Sequence, residues 1–434
     1  MKLYDHQEKA LAATKGVNRV AYYLDMGLGK TFVGSEKLRE LGYPINLIVC
    51  QKSKISDWCD HLNSQYPGLK VLDLTRPSNL GAFHQYAAYR PPFCVAAVIN
   101  YELLWRRAEF FQHLTDYALM LDESSLIQNE KSKQTKFILK LTPSAVVLLS
   151  GTPTAGKYER LWSQAHLLGW DISRKTYDDQ YVNYRSLELG DGTMVRVVDK
   201  AHPYRNVDRL KRKLREHGAI FMKTEDVMDM PEQVFTIVKV DAPREYRQFI
   251  DDGIVTIGGD VIVGDTTLTK RLRARQLCGE YAADKAAAFR DLVQSTQDRL
   301  VVFYNFTPEL EILRAVCESL DRPVSVINGQ IKDLTAYEVR DDSVTLCQYQ
   351  AGAMGLNLQK SNKIVYFTLP ERSELFEQSK KRTHRIGQNR SCYYWVLECR
   401  NTIEPIIRRT LEQRKDFTDE LFREALEAGG CDGR

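Results

Sequence analysis

The cysteines of this sequence are not spaced as metal ligands usually are. Nine cysteines stand singly among 434 residues, without a C-x-x-C pair or a Cys/His cluster. Such spacing argues against a zinc site or a redox motif encoded by neighbouring residues. Isolated thiols are typical of reduced cysteines in a cytosolic protein, since disulfides are rare in that compartment. We therefore expect a cytoplasmic location, or the host cytoplasm if the protein is viral.

Long apolar runs are missing as well. A helix that spans a bilayer needs roughly 20 consecutive apolar residues, and no stretch of this sequence provides them. The N-terminus passes directly into a polar helical pattern, which is not the pattern of a signal peptide. These two observations predict no membrane partner.

Neither sign of charge dominates, because 61 Lys and Arg residues face 57 Asp and Glu residues. The balance excludes a globally polybasic chain, so a nucleic acid would have to be bound by local grooves. Backbone amides, hydroxyls and a few Lys or Arg side chains are sufficient for phosphate contacts. The sequence also lacks internal repeats and low-complexity tracts, and its length favours two or three domains.

The segment Asp25–Thr31, with the sequence D-M-G-L-G-K-T, follows a strand-like run at Val20–Leu24 and precedes a helix-like one. Amides of a glycine-rich turn at a helix N-terminus favour a polyphosphate. Lys30 is expected to reach the β and γ phosphates and Thr31 to ligate Mg²⁺. The predicted ATP contacts here are Met26, Gly27, Leu28, Gly29, Lys30 and Thr31.

An acidic pair follows the buried strand predicted at Tyr117–Leu121. Ligands of open α/β sheets bind at the carboxyl ends of the strands, which is where Asp122 and Glu123 would lie. Asp122 would hold Mg²⁺ through its water shell, and Glu123 would orient or deprotonate the attacking water. Magnesium and ATP are therefore the predicted cofactors.

A second buried strand is predicted at Val146–Leu149, and it runs into a turn of small hydroxyl residues. Ser150 and Thr152 lie in this turn. Hydroxyl groups at the end of such a strand are suited to couple the phosphate site to a neighbouring domain.

With these motifs in order, the chain resembles helicase superfamily 2, and within it the Swi/Snf-type remodelling and translocating ATPases. The resemblance covers nearly the whole length and is typical of a compact bacterial or phage-encoded member. Leu3–Gln7 resembles the family's adenine-reading segment, in which Gln7 would bind the base. Asp122 to Ser125 stand where most members carry Asp-Glu-Ala-His.

Two further segments of the first half resemble the family's motifs for nucleic-acid contact. Ile48–Ser53, followed by Trp58, is similar to the motif after the second strand, and Val98–Leu103 is similar to the next one. The resemblance implies nucleic-acid or coupling roles for Lys52, Ser53, Asn100, Tyr101, Ser150 and Thr152.

The second half carries the complementary motifs. Val301–Phe306 is similar to the first motif of the family's second motor domain, and Gln350–Leu358 matches its A-G-x-x-G-[LI]-N-L signature. In this signature Gly355 would contact the nucleotide. Nucleic-acid or coupling roles are implied for Gly352, Asn357 and Gln378.

Arg382 and Arg385 belong to a segment that ends in R-x-x-R-I-G-Q. Their spacing on a predicted helical stretch would place both on one face. A guanidinium fork is suited to stabilise charge on a transferring γ-phosphate. By resemblance, Arg385 is the arginine finger and Arg382 is its partner.

The resemblance implies an α/β protein with two tandem RecA-like domains, each a parallel sheet flanked by helices, and an ATP site in the cleft between them. We expect the first motor domain at 1–228, with an insertion at about 170–205, and the second at 229–434, with a helical and hairpin lead-in at about 245–290. Small hairpins are predicted at Leu187–Val198 and Ile254–Val263, since each has a glycine pair or Gly-Asp-Gly between alternating residues.

The leading functional hypothesis is an ATP-driven translocase on double-stranded DNA that need not separate the strands. A strand-separating or annealing helicase on DNA or RNA is an alternative that uses the same chemistry. Two further alternatives are a binding scaffold that ATP switches between conformations and a motor subunit of a larger DNA-processing assembly. Intact Lys30, Glu123 and Arg385 argue against the switch.

Overall fold

The computed structural model describes residues 3–25, 27–89, 93–154, 157–188, 193–199, 201–227, 229–352, 356–385, 387–413 and 421. The chain divides into two units, Met1–Met228 and Asp229–Arg434.

The first unit is built on a seven-stranded sheet of parallel strands. Its central strands are mostly apolar along their length, as expected for a parallel sheet with helices on both faces. The strands of this unit, including a separate hairpin, are β1 Arg19–Leu24, β2 Ile45–Cys50, β3 Lys70–Asp73, β4 Val95–Asn100, β5 Tyr117–Asp122, β6 Ala145–Ser150, β7 Tyr184–Glu188, β8 Met194–Val198 and β9 Ala219–Met222. The order in the sheet is β3-β4-β2-β5-β6-β1-β9.

Helices connect these strands. Serine side chains cap two of them, since Ser132 accepts from the amide of Thr135 and Ser173 from that of Thr176. The helices are α1 Asp5–Ala13, α2 Lys30–Leu41, α3 Ile55–Gln65, α4 Pro77–Tyr89, α5 Tyr101–Arg106, α6 Lys133–Ile138, α7 Trp162–Leu167, α8 Arg174–Tyr181, α9 Val207–Glu216 and α10 Thr224–Val227.

The second unit has its own seven-stranded sheet, in the order β10-β18-β17-β13-β16-β14-β15. Its strands, with a separate hairpin, are β10 Gln233–Val240, β11 Ile254–Ile257, β12 Asp260–Val263, β13 Leu300–Tyr304, β14 Val324–Ile327, β15 Lys332–Asp333, β16 Val344–Gln348, β17 Lys363–Tyr366 and β18 Cys392–Cys399. The pairs are parallel except for β14 with β15. The first strand of the unit, β10, pairs with the last, β18, from Gln233 opposite Cys392 to Val240 opposite Cys399.

The helices of the second unit are α11 Arg244–Asp252, α12 Thr267–Glu280, α13 Ala283–Gln294, α14 Thr307–Ser319, α15 Thr335–Val339, α16 Tyr349–Gly352, α17 Ser373–Lys380 and α18 Glu404–Glu412. Each unit has its own buried apolar core around its sheet. No described helix is long and apolar enough to cross a membrane.

Both predicted hairpins are present. β7 pairs with β8, and β11 pairs with β12, in antiparallel register. The Gly190-Asp191-Gly192 turn predicted for the first hairpin lies outside the described residues. Two parallel α/β sheets with flanking helices and small hairpins confirm the predicted fold class.

Candidate active site

The glycine-rich loop lies between the end of β1 and the start of α2. Gly27 and Gly29 have φ angles of 91° and 75°, a left-handed conformation that glycine adopts without steric cost. The loop ends at the N-terminus of α2, where unpaired amides and the positive end of the helix dipole favour an anion. Met26 lies outside the described residues.

Lys30 and Thr31 occupy the first turn of α2. The ammonium of Lys30 donates to the carbonyl oxygens of Leu24 at 3.0 Å and Asp25 at 3.4 Å. The side chain therefore folds across the loop whose phosphate it is predicted to contact.

Gln7 is buried against the same loop. Its Nε2 donates to the carbonyl of Leu28 at 3.1 Å, and its Oε1 accepts from the amide of Tyr4 at 3.0 Å. A Cβ atom at Gly29 would lie 2.2 Å from Gln7 Nε2, so the two residues are in close contact. The structure thus gives Gln7 a role in fixing the loop, and adenine binding by Gln7 stays a prediction.

Asp122 ends β5. Its Oδ2 accepts a hydrogen bond from the indole Nε1 of Trp58 at 2.8 Å. Burial raises the pKa of Asp122, while the Trp58 bond and the charges of Lys30 and Lys54 oppose the shift. The hydroxyl of Tyr101 donates to the carbonyl of Asp122 at 2.9 Å.

Glu123 has a φ of 56°, which is unusual for a residue other than glycine. Its Oε1 accepts from two hydroxyls, Ser150 Oγ at 2.8 Å and Ser125 Oγ at 2.9 Å. Ser125 stands where most family members carry histidine, and here it fixes the carboxylate directly. The strained backbone and the paired hydroxyls give Glu123 one defined orientation.

A second contact links the acidic turn to the turn after β6. Ser124 Oγ donates to Gln164 Oε1 at 2.8 Å, and Gln164 Nε2 donates to the carbonyl of Pro153 at 3.0 Å. Both Ser124 and Gln164 are fully buried. Gln164 was missed from the sequence, because it belongs to none of the motifs.

Adjacent strands bring these groups together. β6 lies between β5 and β1, with Tyr23 opposite Ser150 and Asp122 opposite Leu149. The loop after β1, the hydroxyl of Ser150 and the acidic pair therefore occupy one edge of the sheet. Thr152 is in the same turn as Ser150, where its amide donates to Ser150 Oγ at 3.2 Å.

The donor set fits a magnesium nucleotide. The hydroxyl of Thr31 and the carboxylate of Asp122 are oxygen ligands of the kind that Mg²⁺ prefers. The left-handed Gly27 and Gly29 let the backbone approach a polyphosphate closely. These residues could hold ATP and its metal ion.

Four residues predicted to contact nucleic acid differ in their surroundings. Lys52 and Ser53 are exposed in a short turn before α3, whereas Asn100 and Tyr101 are buried. Lys52 and Asn100 line one cavity of about 670 Å³. Its charged lining residues are Lys52, Arg76, Arg106, Asp60, Asp73 and Glu102. Sequence reasoning did not find Arg76 or Arg106, because neither belongs to a motif.

The predicted helix around Arg382 and Arg385 is wrong. α17 ends at Lys380, and both arginines lie in the irregular segment that follows. Hydrogen bonds to residues distant in sequence hold this segment in place. The carbonyl of Arg382 accepts from the amide of Leu358 at 3.0 Å, and His384 Nε2 bonds the carbonyl of Pro231 at 2.7 Å.

The two guanidinium groups nevertheless lie close to one another. Burial and, to a smaller extent, the positive charge of Arg385 lower the pKa of Arg382 to about 10, while Cys347 opposes the shift. Burial also lowers the pKa of Arg385. Nε of Arg382 is buried without a hydrogen-bond partner, and neither arginine pairs with a carboxylate among the described residues. Buried cations without an anion are unfavourable, so this pair favours an anionic ligand.

The remaining predicted residues of the second unit are Gly352, Gly355, Asn357 and Gln378. Gly352 ends α16, and Gly355 lies outside the described residues. Asn357 is exposed and accepts from the amide of Gln359 at 3.3 Å. Gln378 donates to Glu374 at 3.1 Å. Their roles stay predictions.

A buried group of Cys278, Cys399 and Glu404 was not expected from the sequence. Their potential ligand atoms lie within 4.8 Å of one another. The ammonium of Lys285 bonds both oxygens of Glu404, at 2.6 and 2.7 Å. Lys285 already supplies the positive charge that a metal would bring, so we assign no metal to this group.

Comparison with known proteins identifies the family. The model of the SNF2-related domain matches residues 23–217, and that of the helicase conserved C-terminal domain matches residues 284–387. Together the two matches cover more than half of the sequence. The chain belongs to the SNF2-related, helicase-like proteins of superfamily 2.

Curated relatives are distant in sequence but similar over most of this chain. The mouse SWI/SNF-related matrix-associated actin-dependent regulator of chromatin subfamily A member 1 is 22% identical, over 88% of this chain and 39% of its own. An uncharacterized ATP-dependent helicase of Mycoplasma genitalium is 21% identical, over 92% and 40%. The zebrafish chromodomain-helicase-DNA-binding protein 1-like is 22% identical, over 92% and 41%. The chain thus spans about two fifths of the length of these relatives.

A solved structure, the Sulfolobus solfataricus SWI2/SNF2 ATPase core in complex with dsDNA, aligns with 99% of this chain and 94% of its own at 19% identity. The TM-score of this alignment is 0.44.

Proposed function

We propose that the chain is a nucleic-acid-dependent ATPase that hydrolyses ATP to move along double-stranded DNA, without obligatory strand separation. The observation that carries the proposal is the fixed acidic pair beside the glycine-rich loop. Two hydroxyls orient the carboxylate of Glu123, and Tyr101 bonds the backbone of Asp122. Such an arrangement suits the activation of water rather than simple nucleotide binding.

Each predicted site residue of the first unit has a separate role in hydrolysis. Thr31 and Asp122 would hold the magnesium ion, which when bound neutralises charge on the phosphates. Lys30 would contact the β and γ phosphates. Glu123 would orient the attacking water and accept its proton.

The second unit supplies positive charge. Arg382 and Arg385 are close together, partly desolvated and without a carboxylate partner among the described residues. We infer that Arg385 stabilises charge on the transferring phosphoryl group and that Arg382 supports it. Hydrolysis then needs residues of both units.

Double-stranded DNA is the proposed partner. The cavity offers the cations of Lys52 and Arg106 and several neutral polar groups to a phosphate backbone. Its third cation, Arg76, pairs with Asp73 at 3.2 Å, and the lining also includes the carboxylates of Asp60 and Glu102. The zebrafish relative is named as a DNA-binding helicase, which supports DNA as the polymer. The mycoplasma relative is named as a helicase, so strand separation on DNA or RNA is the second candidate.

Steady-state ATPase rates test the proposal. The rates would be measured without nucleic acid and with duplex DNA, single-stranded DNA or RNA, with Lys30→Ala as the blank. We expect the duplex to stimulate most, after which triplex displacement would report movement. Equal or greater stimulation by single strands or RNA would favour the helicase, and no hydrolysis above the blank would leave an ATP switch or a subunit of a larger assembly.

Replacement of the predicted arginine finger tests the role of the second unit. Arg385→Ala should bind ATP but hydrolyse it roughly a thousandfold more slowly, since the charge it supplies acts in the transition state. Arg372→Ala is the matched control, because Arg372 lies just before α17 and is exposed in an ion pair with Glu374. Normal turnover by Arg385→Ala would remove that residue from catalysis.

A further inference from the structure

Trp58 connects α3 to the predicted metal-binding carboxylate. The tryptophan is 2% exposed and lies in the first turn and a half of the helix. Its indole Nε1 donates to Oδ2 of Asp122 at 2.8 Å. An indole has one donor and no acceptor, so this bond uses all of its hydrogen-bonding capacity.

The opposite face of α3 lines the polar cavity. Ser56, Cys59, Asp60 and Asn63 all contribute to its wall. The spacing of these residues places them on one side of a helix, whereas Trp58 and Leu62 form its buried side. A single helix therefore contacts the cavity on one side and Asp122 on the other.

The cavity also receives residues from both segments predicted to contact nucleic acid. Lys52 lies in the turn that leads into α3, and Asn100 ends β4. Asn100 is 5% exposed, lines the cavity, and its Oδ1 has no hydrogen-bond partner among the described residues. An unpartnered buried amide oxygen is an acceptor, so it favours a ligand that brings a hydrogen-bond donor into the cavity.

We propose that Trp58 is a positioning residue that couples nucleic acid in this cavity to the Mg²⁺-nucleotide site through Asp122. The inference rests on the proposed function. A ligand that shifts α3 displaces the indole, and the indole sets the position of Oδ2 of Asp122. Because Asp122 would hold the metal, its displacement changes the affinity for the metal-bound nucleotide.

Coupling of this kind is reciprocal. If DNA changes the affinity for Mg²⁺-ADP by some factor, Mg²⁺-ADP must change the affinity for DNA by the same factor. DNA should change the affinity for metal-free ADP only a little, since the coupling acts through Asp122, the carboxylate that would hold the metal. Simple packing by the tryptophan ring predicts no such dependence on Mg²⁺.

Trp58→Phe tests the hydrogen bond while keeping an aromatic ring in the core. Dissociation constants of ADP would be measured by calorimetry, in Mg²⁺ and in EDTA, with and without a short DNA duplex. We expect DNA to change the Mg²⁺-ADP affinity of the unchanged protein by about fivefold or more. In Trp58→Phe this factor should fall close to one, and ADP affinity in EDTA should stay the same.

Trp162→Phe is the matched control. Trp162 also donates its indole N–H within the first unit, to the carbonyl of Ile172 at 2.8 Å. This variant loses an equivalent bond away from Asp122 and should keep the wild-type coupling factor.

The outcomes separate the inference from the proposed function. Failure of the unchanged protein to bind DNA or ADP overturns the proposed function. Binding of both with no coupling, or full coupling in Trp58→Phe, overturns only the role of Trp58.

A spectroscopic measurement covers the case in which Trp58→Phe does not fold. The chain has five tryptophans, so its indole N–H spectrum has five resonances to assign, by the single Phe variants or by elimination. The Trp58 resonance should move with Mg²⁺-ADP and, in a separate titration, with duplex DNA. If the chemical shift of the Trp58 resonance does not change when duplex DNA is added, the inference is overturned.

Discussion

At the scale of single residues, the carboxylate of Glu123 depends on two serine hydroxyls. Ser125 and Ser150 both donate to Oε1, at 2.9 and 2.8 Å. Either hydroxyl alone leaves one directional bond to the carboxylate. A catalytic carboxylate works only near one orientation, so loss of both bonds should cost more than the two single losses predict.

Ser125→Ala and Ser150→Ala should therefore each lower kcat modestly, by about tenfold or less, and the double variant should lower it by more than the product of the two. KM for ATP should change little, since neither hydroxyl bonds the loop of Gly27 and Gly29. The check is a double-mutant cycle on the DNA-stimulated ATPase rate. A double variant with wild-type kcat would contradict the role of the hydroxyls.

Glu309 is a second residue whose environment matters, this time for stability. Its carboxylate is fully buried, and burial raises its pKa to about 7. Bonds from the amides of Asn305 and Phe306 and the hydroxyl of Thr368, together with the charge of Lys285, oppose the shift. The folded protein binds this proton more tightly than the unfolded chain does.

Stability should therefore fall as the pH rises from about 4.5 to about 7 and stay level above that window, as far as Glu309 contributes. Glu309→Gln stays neutral, so its stability relative to wild type should increase from pH 5 to pH 8, by at most about 3 kcal/mol. Urea unfolding at several pH values measures this. Glu311→Gln, exposed on the same helix, is the control, and an offset of Glu309→Gln that is equal at every pH would contradict the expectation.

At the scale of elements, the two ends of α2 carry glycines with the same backbone hand but different surroundings. Gly29 precedes the helix with a φ of 75° and lies against Gln7, while Gly42 follows it with a φ of 66° and open space around it. Alanine substitutions at the two glycines therefore distinguish the cost of backbone strain alone from the cost of strain plus a steric clash.

Gly42→Ala should cost only the left-handed strain, roughly 1–2 kcal/mol. Gly29→Ala adds a contact at 2.2 Å with Nε2 of Gln7. It should be less stable than Gly42→Ala and should bind nucleotide about tenfold or more weakly, the equivalent of 1.4 kcal/mol. Thermal unfolding and ADP binding measure the two effects. Equal nucleotide affinity in both variants would show that the loop accepts the methyl group.

The sequence predicted those elements whose cause is local. Val20–Leu24, Tyr117–Leu121 and Val146–Leu149 are continuous apolar runs, and all three are strands of a buried parallel sheet. The helix predicted for Arg382 and Arg385 was wrong because α17 ends at Lys380. The amides of Arg382 and His384 still make local turn bonds, but the carbonyl of Arg382 accepts from the amide of Leu358, which is distant in sequence.

Site contacts between distant residues could not be predicted for the same reason. Trp58 meets Asp122 across 64 positions, and Ser124 meets Gln164 across 40. No local periodicity encodes such pairs, since strand order decides which side chains meet. Motifs located the acidic pair and placed Ser125 where most family members carry histidine, but only the fold shows that Ser125 bonds the carboxylate of Glu123.

At the scale of the whole molecule, near-balanced charge shapes DNA binding. The formal net charge is +4, so attraction must come from local groups such as Lys52 and Arg106. DNA affinity should still fall as salt rises, because phosphate contacts release counterions.

Lys52→Ala and Arg106→Ala should each weaken DNA binding and reduce the slope of log affinity against log salt by about one. Binding isotherms at several salt concentrations measure the slope. Lys9→Ala, exposed on α1, is the control and should leave it unchanged. An unaltered slope in all three variants would place the phosphate contacts elsewhere.

The pairing of β10 with β18 has a consequence for biosynthesis. The first unit completes its sheet when β9 leaves the ribosome, before the second unit has been made. β10 is the first strand of the second unit to be synthesised, yet its sheet partner among the described residues, β18, is the last described strand of that unit. Until Cys399 has been translated, the segment of Phe235 and Ile237 has no strand to pair with. A nascent chain that stalls in this interval exposes unpaired backbone groups and apolar side chains, which chaperones or other chains can bind.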